Sequence, residues 1–274
     1  MADRVGKPVI FRQGVKRSAA ALYRRLGAAR KPGELVILNY HSIQPEEAFS
    51  TSPEMFARQL EYLIERFDLP SLDGWFERHE LGPPAARPAA LVSFDDGFEN
   101  FFEFAFPILQ RLKVPAVLFV TTGFVIGGCG VEARLGMYRD LPPLSWAQLK
   151  EVRAGGIAIG SHTHWHRHLG QSTPAQVAEE LRCSKMILED QLGASINYFA
   201  YPWGQRQHIG RETAALLQAN GYWAACSALW GKNTASTNRY LLRRVRIDAW
   251  DTLEDFQAKV EGGWDYLWYY QMLR

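Results

Sequence analysis

The sequence predicts an α/β fold, a run of βα units around a largely parallel sheet, on three observations. Short β-rich apolar runs alternate with helical patterns from Leu35 onward. About seven β segments can be placed, with no convincing linker between them. The length, 274 residues, is normal for a single α/β barrel, which commonly runs to about 250.

The first strand is Leu35 to Tyr40. A helix over 53–66 follows, with Ser52 as N-cap, Pro53 in the first turn, and Phe56, Leu60, Leu63 and Ile64 on one face. Pro83, Pro84 and Pro88 mark a loop before the apolar strand that begins at Ala89 and ends at Asp95. A helix from about Asn100 to Leu112 leads to a buried strand, Ala116 to Val120. The stretch from Gly123 to Pro143 reads as a long loop, of the kind that shapes substrate access at a barrel rim. Ser145 caps a helix to about Ala154, and a strand from Gly156 to Ser161 follows. Ser172 or Thr173 caps a long helix to about Leu192. Then come a strand near Ile196 to Ala200, a helix from Arg211 to Ala219, and a strand from Tyr222 to Cys226. A last strand near Leu242 to Ile247 is apolar and basic, and a helix over 252–262 closes the series.

Hydrophobic residues make up 47% and charged residues 22%, enough for a large core and against disorder. The net charge of +2 and the lack of a basic stripe argue against nucleic acid as a partner. Cys129, Cys183 and Cys226 lack CxxC spacing, and their odd count fits a reducing compartment. The N-terminus lacks the apolar centre of a signal peptide and no run reaches membrane-spanning length, so the expected location is cytoplasmic. Residues 11 to 30 read as a basic amphipathic helix, with Val15, Ala19, Leu22 and Leu26 at helical spacing. It either packs on the body or makes a peripheral contact with the inner face of a membrane. Oligomeric state is not indicated.

Three strand ends carry candidate chemistry. Asp95 and Asp96 are adjacent carboxylates that repel, an arrangement that makes sense if one binds a metal and the other stays free as a base. Gly97 lets the chain turn sharply after them, although Asp-Asp-Gly is also an ordinary turn composition. Four of the seven histidines, His162, His164, His166 and His168, follow a predicted buried strand, and imidazole is the commonest zinc ligand. A solvated histidine-rich loop is the competing reading. His162 and His166 can share a metal, whereas His164 and His168 then point elsewhere. The His-x-His-x-Asp-His pattern of metallo-β-lactamases fails at His166 and Arg167, and the paired histidines of amidohydrolases fail at the first strand, where His41 stands alone. In Tyr198 to Gly204, a proline flanked by aromatics can aim a backbone N–H at a ligand while Tyr201 and Trp203 line a sugar-sized pocket. Core aromatics at a strand end are the alternative.

In this order, the segments resemble the polysaccharide deacetylase family, also called the NodB-homology family or carbohydrate esterase family 4. Ser93-Phe94-Asp95-Asp96-Gly97 is similar to its first motif, His162-Thr163-His164-Trp165-His166 to its second, and Phe199-Ala200-Tyr201-Pro202-Trp203-Gly204 to its third. The opening Asn39-Tyr40-His41-Ser42-Ile43 resembles members related to the deacetylases of poly-N-acetylglucosamine, and the likeness spans roughly residues 35 to 262.

The resemblance implies a distorted (β/α)7-type, TIM-like barrel. It also implies a divalent metal, usually zinc, with cobalt, nickel or manganese as alternatives, held by Asp96, His162 and His166. Asp95 becomes the general base, the Trp203 N–H an oxyanion donor, and Tyr201, Pro202, Trp203 and His41 neighbours of the substrate. The implied reaction removes N-acetyl groups from amino sugars of a polysaccharide, oligosaccharide or lipid-linked glycan. An O-acetyl esterase, a non-sugar amide hydrolase and an impaired carbohydrate-binding homologue are the rivals. The chain divides into a basic N-terminal extension (1–34) and a catalytic domain (35–274).

Two departures stand out. Ala200 occupies the position where many members carry an arginine that orients the base, and no histidine follows His208 to supply the C-terminal Leu-x-His acid. Protonated Asp95 is therefore expected to return its proton to the leaving amine, with His41 as second candidate. Asp248, near the family's fourth motif, reads as a surface acid capping the last helix region. The aromatic cluster from Trp264 to Tyr270 is either a cap on the barrel or a partner surface.

Overall fold

The computed structural model describes residues 30–45, 49–81, 86–127, 138 and 140–272. The expected N-terminal helix, apart from Arg30, and Cys129 lie outside them. Among the described residues there are seven strands: β1 (Leu35–Tyr40), β2 (Ala89–Phe94), β3 (Ala116–Val120), β4 (Ala158–Ser161), β5 (Tyr198–Ala200), β6 (Ala224–Cys226) and β7 (Arg244–Arg246). All pair in parallel, in the order β6-β5-β4-β3-β2-β1-β7. The segment leading into β7 nearly closes the sheet. Leu242 donates to Ala225 O and its carbonyl accepts from Ser227 N–H, while Arg244 two residues on pairs with Ile37 of β1.

Strand alternation sorts the side chains into two layers. Leu35, Ile37, Ala89, Leu91, Val117, Phe119, Tyr198, Ala200, Ala224, Cys226 and Leu242 share the inner cluster. Val36, Leu38, Ala90, Val92, Leu118, Val120 and Phe199 pack outward against the helices. Gly160 serves the inner layer, because a Cβ there would lie 2.5 Å from the Phe119 ring.

The Pro53–Arg66 helix has Ser52 as its N-cap, but Ile64 is 42% exposed and lies outside the buried face expected for it. Thr173, rather than Ser172, caps the Pro174–Leu192 helix, through a reciprocal pair with Gln176. The expected helix from Asn100 starts as a π turn over Phe101–Ala105 and becomes α-helical at Phe106, next to Pro107, which has no N–H for a regular ladder. A helix over Leu72–Leu81 was not predicted, its pattern being short and interrupted by Gly74. Its Leu72, Trp75 and Phe76 join Leu35 and Ala89, the first residues of β1 and β2, and so floor the barrel. Trp264 is buried and its indole stacks on Trp230, so this part of the C-terminal cluster caps the barrel. Among the described residues no helix is long and apolar enough to cross a membrane.

Candidate metal centre

The inner-face alternation of β2, Ala89, Leu91 and Ser93, reaches Asp95 one step past the strand, at the C-terminal mouth of the barrel. Asp96 then leaves the strand path at φ 74, followed by Gly97 at φ 89. On β4 the same alternation through Gly160 delivers His162. His166 arrives from the following loop at φ 50, after Thr163 at φ 69. Non-glycine residues in this left-handed region are sparse, and strain of this kind concentrates at functional sites.

The three predicted ligands converge. Asp96 Oδ1 lies 3.5 Å from His162 Nε2 and 3.4 Å from His166 Nε2, all three residues are buried, and their ligand atoms lie within 4.8 Å of one another. His162 Nδ1 sits 2.8 Å from Ala200 O. A carbonyl only accepts, so Nδ1 carries the hydrogen and Nε2 presents its lone pair toward Asp96. Asp96 Oδ1 is buried with no hydrogen-bond partner among the described residues. Burial first, and Asp95 second, push the Asp96 carboxyl well above its ordinary value. An unpartnered buried carboxylate oxygen facing an imidazole lone pair is an electrostatic deficit that a cation corrects. The residues therefore fit a divalent metal, and three protein ligands leave a position open.

The loop between the histidines is held from a neighbouring helix. Glu180 Oε2 accepts from His164 N–H (2.9 Å) and Trp165 N–H (2.7 Å), and its Oε1 pairs with Arg167 Nε at 2.8 Å. This acid is 3% exposed. It positions the ligands without touching the metal site, so Glu180→Gln is expected to weaken zinc binding by roughly 10- to 100-fold. Titration against a chromophoric chelator measures this, and unchanged affinity would show that the loop holds itself.

Asp95 is clamped by Arg244, whose Nη1 and Nη2 donate to its two carboxylate oxygens at 2.6 and 2.8 Å. Arg244 Nε donates to Ser227 O, and its side chain is 1% exposed. Burial alone would raise the Asp95 carboxyl, but the guanidinium outweighs it and holds the acid well below the usual carboxylate range. The expectation that no arginine orients the base is thus corrected. Ala200 does leave the motif position empty, yet β7 supplies the guanidinium from the other side of the barrel.

A cavity of about 420 Å³ lies over these groups, bordered also by His41, Tyr138, Trp203, Trp230 and Asp248. The His41 ring stacks on Tyr138 at 5.2 Å, and burial lowers its pKa to about 4, so it is neutral near pH 7. Two predicted substrate neighbours do not border this cavity. Tyr201 continues the outward side of the β5 alternation, packs on Phe199 and donates its hydroxyl to Tyr240 O, and Pro202 is buried beside it. Trp203 is there, 42% exposed, with its ring 4.6 Å from that of His166. Asp248 is not a helix cap: Thr252 caps the last predicted helix, while Asp248 borders the cavity and pairs with Lys259 and Arg246. His164 turns away to Thr122 Oγ1 (2.8 Å) and His168 toward His208.

A parallel barrel with an Asp-His-His cluster and an arginine-held carboxylate at its mouth defines a hydrolytic metal centre. A family model described as polysaccharide deacetylase matches residues 83–225, just over half of the chain, and the chain belongs to that family. The poly-beta-1,6-N-acetyl-D-glucosamine N-deacetylase of Escherichia coli is 29% identical over 262 residues, covering 82% of this chain and 38% of its own length. The enzyme of the same name from Staphylococcus aureus is 24% identical over 250 residues, covering 81% and 82%. Among solved structures, Streptococcus pyogenes deacetylase PplD in complex with acetate superposes with a TM-score of 0.71 at 25% identity, covering 84% of this chain and 100% of that one. IcaB from Ammonifex degensii gives 0.69 at 25% identity, with 86% and 98% covered.

Proposed function

We propose that this chain hydrolyses N-acetyl groups from an N-acetylglucosamine-type glycan, with zinc as the metal that its two imidazoles and one carboxylate suit best. The observation that carries the reading is the buried, unpartnered Asp96 Oδ1 facing two imidazole nitrogens, with Asp95 held separately by Arg244. The names of the Escherichia coli and Staphylococcus aureus relatives support the substrate class. A divalent cation bound there supplies Lewis acidity toward the acetamide carbonyl and makes water a stronger acid.

Asp95 is the base that takes the proton of the attacking water, oriented by the guanidinium behind it. Among the described residues the Trp203 N–H donates to no backbone carbonyl, and it is available to the developing oxyanion. As the C–N bond breaks, the amine needs a proton. Asp95, strongly acidic once protonated, returns it, and acetate and free amine leave. His41, kept neutral near pH 7 by burial, carries no extra proton to give to the amine.

Zinc-loaded protein is expected to release acetate from N-acetylglucosamine oligomers and not from acetylated xylan; the reverse preference overturns the reading. His41→Ala is expected to lower kcat/KM by about tenfold while keeping both limbs of the pH profile. Disappearance of the alkaline limb would make His41 the donor.

A further inference from the structure

We propose that Asn39 selects acetamides over acetate esters, its side-chain oxygen accepting the N–H of the amide to be cleaved. This rests on the amino-sugar reading above and deepens it, by naming the group that tells an N-acetyl from an O-acetyl substituent.

Asn39 continues the inward phase of β1 set by Leu35 and Ile37, and it borders the metal cavity. β1 is paired on both sides, with Asn39 opposite Ser93 of β2 and Arg246 of β7, so its backbone is fixed. The residue is 4% exposed, and its Oδ1 is buried with no hydrogen-bond partner among the described residues. A polar atom left this way costs stability, and at the wall of a cavity it marks where a ligand supplies the missing donor.

The strand order sets which way a bound amide points. His162 follows β4 and Trp203 follows β5, so a carbonyl oxygen directed at the metal site and the Trp203 N–H faces that wall. In a planar trans amide the N–H points away from the C=O. Around the order β6-β5-β4-β3-β2-β1-β7, nearly closed on itself, β1 stands across from both β4 and β5. The N–H therefore meets the wall that carries Asn39. Other acceptors there are engaged: Arg244 clamps Asp95, and Asp248 is bridged by Arg246 and Lys259. His41, two residues further out, is partly exposed and stacks on Tyr138, where water reaches it. Asn39 Oδ1 is the buried acceptor left for the amide.

An ester presents lone pairs where the amide has its N–H, so it sets oxygen against oxygen and leaves Asn39 unsatisfied. The amide contact also strengthens along the reaction, because the departing nitrogen gains positive charge as it takes up its proton.

The test measures kcat/KM of the zinc-loaded protein on N-acetylglucosamine oligomers and on nitrophenyl acetate, in the wild type, in Asn39→Leu, which is close in size and has no acceptor, and in Asn39→Ser, which keeps a smaller one. The amide-to-ester ratio is expected to fall about 10- to 100-fold in Asn39→Leu and by less in Asn39→Ser. Asn39→Leu should also unfold at no lower temperature than the wild type, since it removes an unpartnered buried group. An unchanged ratio, or equal losses on both substrates, overturns the selecting role, and equal losses with a lower Tm would make Asn39 a structural residue. No release from any N-acetylated sugar by the wild type, with the ester still cleaved, overturns the function on which the role rests.

Discussion

An Asp96→Asn variant is expected to lose zinc binding and nearly all acetate release, yet to be at least as stable as the wild type when both are metal-free. The two halves have one cause. Asp96 Oδ1 is a buried oxygen without a donor, 3.4 to 3.5 Å from two imidazole nitrogens, so a bound cation takes its negative charge from this group. An amide keeps the shape and removes the charge. Losing several kcal/mol of transition-state stabilisation corresponds to a fall on the order of 10³-fold in rate. Without metal the same carboxyl is a liability, raised by burial and by Asp95. Its folded value lies above its unfolded one, so its contribution to stability falls as pH rises above about 4. Asparagine carries no such dependence. Thermal unfolding with and without zinc measures both effects: the wild type should gain Tm on adding zinc and the variant should not. Zinc-dependent stabilisation that survives in the variant would place the metal elsewhere.

The metal ligands were legible in the sequence because each follows a buried strand whose alternation or closing turn fixes where the side chain goes. Ala89, Leu91 and Ser93 set the inward phase that reaches Asp95, and Gly160 sets the phase that reaches His162. The same rule, applied to β5, would have turned Tyr201 outward, since it continues the side of Phe199 rather than that of Ala200. Arg244 was missed for a different reason. It lies 149 residues from Asp95, and the two meet only because β7 returns to pair with β1. A local signal did exist. Leu242, Arg244 and Arg246 share one phase of the last strand, and a basic residue on the inward phase of a barrel strand requires a partner. Glu180 had no comparable signal, being one acid among several on a long helix until the histidine loop closes over it.

Arg244→Met should reduce kcat/KM at neutral pH by about 10²- to 10⁴-fold, the range for loss of a general base, and move the acid limb of the pH profile upward. The guanidinium is what keeps Asp95 ionised despite burial. Without it, burial and the adjacent Asp96 act unopposed, and the base is held protonated to higher pH. Activity should therefore recover partly as pH rises, which simple misfolding would not produce. Stability follows the same charge. In the wild type the folded value of Asp95 is depressed, so its stabilisation is complete above the unfolded value of about 4 and is lost as pH falls through the folded value. In the variant the acid is raised, and the sign reverses. The deficit, about 3–5 kcal/mol for breaking a buried pair, should be widest near neutrality and should narrow toward pH 4. Urea unfolding at the two pH values reads this directly. Arg244→Lys keeps the charge and loses the two-pronged contact, so it should fall between the two in both activity and acid limb. An acid limb that stays in place in Arg244→Met, with activity lost equally at every pH, would mean that Asp95 is not the group titrating in catalysis.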